Sequence, residues 1–434
     1  MIAKVVKVIE KNSREKLYEI QDEKGNLYCK TSKEIKNDLH NRNLQLLNYK
    51  VTKDNRLIKS HDNDNNVNRS YYDYLLMNGN TIVGTFDFKG NLKIFSVKPF
   101  DFDSSITEWI YKRAKFSCAH HVKEFFKTIG INTVEDFISM NNCISLHDTF
   151  WVKPLNSKLE WKDVSPYRHN YSNVISTYAL EGIDLGNVEK NYFSPVVSTN
   201  GSFPHTWKFN NGKITFVKAG SKYTLGGSNS GREPYSEYYA SVVADYLGFN
   251  HVNYSIRKHK RRDNRIDIVT DCNCFTTEQT GTVTAYLLGL DSYEKVIDYC
   301  KALNTKSFNT ILDMLFLDCL LLNTDRHFSN IEFFVDNRTL EVKELTPIFD
   351  NNFSFVPRFI EGYDTFDRSE YLVRDNRTFE NLYALVKQYK DYKSNLLSLK
   401  KLTLEKPKNV PIKDSRLKFL NDFLQMQVDY LLTL

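Results

Sequence analysis

Apolar residues recur at helical spacing through residues 308–322, where Ile311, Leu312, Leu315, Phe316 and Leu320 stand in an almost unbroken apolar run. That pattern predicts a buried helix. Two short stretches follow, 331–335 and 340–345, joined by Asp336-Asn337-Arg338-Thr339. They read as the strands of a hairpin. Upstream, strands are predicted at 193–197, 206–209 and 213–218, with turns at 198–202 and 210–212. The second turn contains an Asn-Gly pair, a strong hairpin signal. A flexible loop, 226–231, leads to Pro234-Tyr235-Ser236, which opens a helix over 237–247 that Gly248 stops. A strand is predicted over 265–274. In the tail, 378–390 and 415–432 carry apolar residues at the spacing of packing helices.

The first part of the chain is patterned differently. Strand candidates at 5–9, 17–22 and 27–31, with others at 44–53 and 56–60, predict a small β-rich module over 1–60. So few residues cannot enclose a large core. Residues 61–70 are polar throughout and read as a linker. Residues 71–187 are mixed: a hairpin around Lys89-Gly90, then helices at 107–116, 120–128 and 134–140, the last with Thr133 as its N-cap. Residues 145–153 combine aromatic and polar side chains and read as a packed element. A β-rich segment, 188–274, and a mostly helical one, 275–434, complete the chain.

Composition narrows the class. Of 434 residues, 41% are hydrophobic and 14% aromatic, as in a soluble globular protein. No apolar run reaches the length of about 18 that a membrane span needs. The first residues lack the pattern of a signal peptide, so a cytoplasmic location and no membrane partner are expected. Seven cysteines, without a paired framework, fit a reducing compartment. Cys272 and Cys274 form a lone C-x-C, read as two small strand side chains rather than a zinc site. The net charge of +6 permits contact with nucleic acid or acidic proteins and demands neither. The densest basic run, 258–262, reads as a solvated loop between strands; the sharper alternative is a patch that steers an anionic substrate.

The candidate chemistry lies between the buried helix and the hairpin. Asp325 is followed five residues later by Asn330, and Asp350 comes after the hairpin. That is the arrangement of a protein-kinase catalytic loop with its second metal-binding carboxylate. Asp325 is read as the base for an acceptor hydroxyl, and Asn330 and Asp350 as magnesium ligands. A hairpin returns the chain to its start, so Asp350 is expected beside Asn330. Lys218, at the end of an alternating strand, is expected to touch the nucleotide phosphates. Glu237 either serves the helix dipole or pairs with Lys218. Ser198, Thr199, Asn200, Gly201 and Ser202 are a turn that could lay N–H groups over phosphates. Asp271 and Cys272 begin the stretch expected to present backbone to an adenine.

These residues carry a family resemblance. Asn323-Thr324-Asp325-Arg326-His327 with Asn330, then Thr346-Pro347-Ile348-Phe349-Asp350, together with Lys218 and the helix carrying Glu237, resemble HipA-like serine/threonine kinases. The resemblance covers roughly 71–434, and 145–153 is similar to an N-terminal extension in a subgroup. It implies an α+β, bilobal protein-kinase-like fold with a β-rich N-lobe and a mostly helical C-lobe. It also implies ATP with magnesium and transfer to Ser or Thr of a protein substrate. Some members are toxins of toxin–antitoxin pairs, which would give this chain an antitoxin partner; a regulatory kinase is the other expectation. The family's phosphate loop often carries Gln and Lys, absent from 198–204, which bears on self-phosphorylation at Ser198, Thr199 or Ser202. Two other readings stand beside it. One is a small-molecule kinase of the aminoglycoside or choline type, which usually has a His before the Asp where Thr324 stands here. The other is a non-catalytic kinase body whose N-terminal module binds nucleic acid or a partner.

Overall fold

The computed structural model describes residues 2–12, 15–22, 27–31, 33–36, 45–46, 49–51, 57–59, 73–88, 91–103, 105–114, 126, 131, 133–183, 185, 193–199, 201–221, 231–359 and 366–434. The predicted linker at 61–70, most of the predicted helix at 120–128, most of the loop at 226–231 and Asn200 lie outside them. The fold is α+β, as expected; its sheets are antiparallel except for one short parallel pairing, and the chain divides into two compact units.

The first unit comprises Met1–Thr107 and Phe150–Trp161. In it β1 (Ile2–Asn12), β2 (Glu15–Asp22), β3 (Leu27–Thr31) and β4 (Gln45–Leu46) form a sheet of order β3-β2-β1-β4. A separate pair joins β5 (Tyr49–Val51) to β6 (Leu57–Lys59). A second sheet runs β10-β7-β8-β9, from β7 (Tyr74–Asn78), β8 (Thr81–Phe86), β9 (Leu92–Ile94) and β10 (Phe150–Pro154). The aromatic stretch at 145–153 thus ends as a strand, with Trp151 buried and its Nε1 donating to the Gly79 carbonyl at 2.7 Å.

The second unit, Glu108–Thr149 and Lys162–Leu434, holds the candidate chemistry. It takes in most of α1 (Ile106–Arg113) and all of α2 (Val134–Asn141), which Thr133 caps through a reciprocal pair with Asp136. Helices α3 (Trp161–Val164) and α4 (Asn173–Glu181) precede a sheet of order β11-β12-β14-β13. Its strands are β11 (His205–Asn210), β12 (Lys213–Ala219), β13 (Ser255–Lys260) and β14 (Ile266–Asn273). Two expectations fail here. Residues 193–197 are not a strand: Pro195 supplies no N–H, Ser194 Oγ accepts from Val196, and Pro195–Ser198 winds into a 3-10 turn. The basic run is a loop only at Arg261 and Arg262: Lys258, His259 and Lys260 lie in edge strand β13, where charged side chains guard an open edge.

Leu180 of α4 packs on Val217, Ala219 and Val269, which fixes the outer face of this sheet. Lys218 pairs directly with His205 and Thr270, and Phe216 with Trp207 and Cys272. Side chains alternate along a strand, so this set occupies the opposite, inner face. Helix α5 (Glu233–Tyr246) packs there and begins one residue before the Pro234-Tyr235-Ser236 expected to open it.

Below lies the main core. Helices α6 (Tyr293–Leu303) and α7 (Thr305–Leu321) pack with α8 (Phe379–Lys387), α9 (Lys393–Leu399) and α10 (Asp414–Thr433). Helix α7 is the predicted buried helix; Asn304 caps its start and Leu322, at φ 49°, ends it. A sheet of β15 (Thr280–Thr284), β16 (Glu332–Asp336) and β17 (Val342–Leu345) covers one side. The predicted hairpin is β16–β17, and β15 was not foreseen.

Gly281 of β15 sits where a Cβ would meet the His147 carbonyl oxygen and Asn337 Oδ1 well inside 3.0 Å. His147 also accepts from Thr282 N at 2.7 Å, so backbone would have to move. Gly281→Ala should therefore destabilise the second unit by about 1–3 kcal/mol, read by chemical denaturation followed through Trp fluorescence.

Candidate active site

The site is built from the end of α7 upward. Asp318, on the last turn of that apolar helix, is fully buried. It accepts Nδ2 of Asn323 at 2.8 Å and both Nε (2.9 Å) and Nη2 (3.2 Å) of Arg326. Arg326 is itself only 1% exposed. Its Nη1 donates to the carbonyls of Phe349 (2.7 Å) and Asn330 (3.2 Å), and its Nη2 to Asn351 Oδ1 (2.7 Å). Its own carbonyl accepts from Tyr293 Oη at 2.7 Å. One guanidinium thus ties the loop holding Asp325, the turn holding Asn330 and the residues on either side of Asp350.

Local bonds finish the loop. Asp325 N donates to Asn323 Oδ1 at 3.3 Å, and Asp325's carbonyl accepts from His327 N (2.9 Å) and Asn330 Nδ2 (3.3 Å). Burial raises the Asp325 carboxyl above its ordinary range, opposed by His327. Arg374 Nη1 lies 3.8 Å from that carboxylate. Asp350 is held at φ 56° after Ile348, which bonds to the Asn250–Val252 segment. The Asp350 N–H donates to Tyr254 Oη at 3.4 Å.

Lys218 reaches this site from the sheet, bonding Asp350 Oδ1 at 2.5 Å and standing 3.6 Å from Glu237 Oε2. Burial alone would depress the ammonium, but the two carboxylates outweigh it and raise it. For Asp350 burial pushes the carboxyl up, yet Lys218 holds it below the usual range. Glu237 is raised, because burial dominates over Lys218. Among the described residues its Oε1 has no hydrogen-bond partner, while the Tyr254 hydroxyl works with Lys218 to lower the carboxyl. Since α5 starts at Glu233, Glu237 lies in the second turn and serves the cleft rather than the helix terminus.

Lys218, Glu237 and Asp350 thus meet directly, and Arg326 ties the Asp325–Asn330 loop to the backbone on either side of Asp350. Ser198 and Thr199 of the phosphate turn do not cluster with them. Ser198 Oγ is buried against the Ile144 and Pro195 carbonyls, and Thr199 Oγ1 donates to Pro195 O and accepts from Trp207 Nε1. Gly201 lies against the His205 ring, and Ser202 is exposed. Asn200 is outside the described residues. Cys272 shares the inner face with Lys218, whereas Asp271 pairs with Val217, faces outward and is gripped by Arg257. Its side chain is therefore turned from the cleft, though a backbone contact to an adenine does not depend on it. Among the described residues no group of three or more His, Cys, Asp or Glu is arranged to hold a metal ion, and no helix is long and apolar enough to cross a membrane.

Sequence reasoning quoted Arg326 without a role and passed over Asp318, Tyr254 and Arg374. One signal was available: an Asp inside an apolar helix must be paired.

No protein-family model matches the chain, and no curated protein matches it. Solved structures do. The HipA–HipB–operator DNA complex of the Shewanella oneidensis MR-1 toxin–antitoxin system matches at 14% identity, over 83% of this chain and 97% of that one, with a TM-score of 0.51. This is a kinase-like fold. The Helicobacter pylori proinflammatory kinase CtkA (17% identity, 53% of this chain and 93% of that one, TM-score 0.36) and the golgi casein kinase (14%, 54% and 70%, 0.27) also match. In this kinase-like fold the sheet β11-β12-β14-β13 is the upper lobe and the helical body the lower.

Arg326→Ala should cost the fold about 3–5 kcal/mol, because Asp318 is left buried and uncompensated. Asp318→Leu combined with Arg326→Met should recover most of that loss. A denaturation series on the single and double variants reads both, and an additive double variant contradicts the pairing.

Proposed function

We propose that the chain is an ATP- and magnesium-dependent serine/threonine protein kinase of the HipA-like kind. The observation that carries this reading is the meeting of Lys218, Glu237 and Asp350 beside the Asp325–Asn330 loop, with Lys218 and Asp350 bonded across 132 positions of sequence.

The donor set fits the cofactor. A hard divalent cation takes oxygen ligands, and an ammonium takes phosphate. Asp350 and the Asn330 amide oxygen would hold the cation; the Asn330 nitrogen is already committed to the Asp325 carbonyl. Magnesium–ATP supplies the phosphoryl group and the positive charge that offsets its transfer. The unpartnered Glu237 Oε1 leaves that carboxyl free to take Lys218 when Asp350 is released from it. Lys218 then binds phosphate while Glu237 orients it. Asp325 accepts the proton of the acceptor hydroxyl, and Arg326 keeps that carboxylate in register. The backbone of 271–274 would take the adenine, and the backbone of residues 201–202 would offer N–H groups to the phosphates. Ser202, the exposed hydroxyl of that turn, is the one open to self-phosphorylation, since Ser198 and Thr199 are bonded inward. The Shewanella HipA is solved with HipB and operator DNA; an antitoxin is the partner class this reading implies for our chain, with residues 1–60 as a surface for it or for nucleic acid.

Incubation with labelled ATP, with and without magnesium, tests the reading. Asp325→Asn and Asp350→Ala should lower transfer by about a thousandfold and Lys218→Ala by about a hundredfold. Asp350→Ala leaves Lys218 with Glu237, so its melting temperature without ligand should stay near wild type while its stabilisation by magnesium–ATP is lost. Normal labelling by the Asp350→Ala protein would refute the assignment.

A further inference from the structure

Beside Asp325 the lower lobe has a cavity of about 470 Å³. Its lining runs from Thr324, next to Asp325 in sequence, past Phe353, to Arg358, Glu370 and Arg374. Two of these are exposed guanidiniums. Arg374 is 64% exposed and lies 3.8 Å from Asp325 Oδ1, a separation at which exposed partners gain little. Arg358 lies over the Phe353 ring at 5.3 Å and, among the described residues, makes no ion pair. Among the described residues, Glu370 is the one carboxylate in the lining. The wall therefore carries more cationic than anionic groups, at the place where an acceptor hydroxyl must come to reach the base.

Resting on the kinase reading, we propose that this cavity selects acceptor segments with an Asp or Glu close to the Ser or Thr that is modified. Extended chain advances about 3.3–3.6 Å per residue. A guanidinium 3.8 Å from the base is then one or two positions from the acceptor. Arg374 reads that neighbouring carboxylate and Arg358 a more distant one along the Phe353 side. Planar guanidiniums suit carboxylates, with paired N–H donors that an ammonium lacks. A basic neighbour would meet Arg374 as a like charge, which suppresses the wrong acceptor as effectively as the pair attracts the right one.

The test uses the full chain, labelled ATP with magnesium, and a set of Ser- and Thr-containing peptides with acidic, neutral or basic residues at each flanking position. Acidic neighbours should raise kcat/KM about tenfold over neutral ones, with basic neighbours below both. Arg358→Glu, at a residue that lies over the Phe353 ring and makes no ion pair with Asp325, should weaken the preference at the outer position while self-labelling persists. Arg358→Glu with Arg374→Glu should shift the preference toward Lys and Arg. Magnesium–ATP stabilisation and self-labelling are read in parallel. If both are present and the peptides show no flank preference, or a basic one, the acidic-acceptor inference falls and the kinase reading stands. If neither is present, both fall together.

Discussion

A single buried ion pair, Arg326 with Asp318, holds the chemistry in place. Burying two charges carries a desolvation cost, which good geometry and further hydrogen bonds must offset. Here the geometry is two-pronged and every remaining donor of note finds an acceptor: the carbonyls of Asn330 and Phe349 and the Asn351 amide. The pair is better understood as a positioning device than as a source of stability. It converts the rigidity of α7, the most deeply buried helix, into fixed positions for a loop that has no regular structure of its own.

Around that anchor the charges are unevenly balanced. Lys218 faces two carboxylates, and it is closer to Asp350 than to Glu237. Asp350 is thereby stabilised as an anion, while Glu237, more deeply buried and less well paired, is pushed toward its neutral form. An anionic, metal-loaded nucleotide would reverse this ordering by drawing both Lys218 and Asp350 to itself. On the proposed reading, nucleotide binding would exchange partners within the cleft rather than assemble it from isolated groups. Such an exchange suits a site whose work is mostly positioning and electrostatics.

Much of the lower lobe was legible from the chain. The apolar run of α7, the Asp325–Asn330 spacing and the β16–β17 hairpin are local, and local patterns survive folding. The upper part was less so. Pro195 turned a predicted strand into a helical turn, and β13 was hidden because its basic side chains look like a loop when the protective role of charge on an edge strand is overlooked. The turn at 198–202 was expected to cradle phosphates as a unit, yet the Ser198 and Thr199 hydroxyls bond the Pro195 carbonyl, and Ser198 that of Ile144 as well.

What the sequence determined by itself was the inventory: a lysine ending a strand, a helix glutamate, an Asp–Asn loop and a later Asp, on elements of predictable type. Periodicity and turn chemistry act over a few residues, so they specify such elements without reference to the rest of the chain. Which groups touch was decided by tertiary structure alone. That Asp318 needs Arg326, that Lys218 chooses Asp350 over Glu237, and that Asp271 faces outward with Arg257 all follow from strand pairing and burial between distant segments. Those depend on distances that no local pattern encodes.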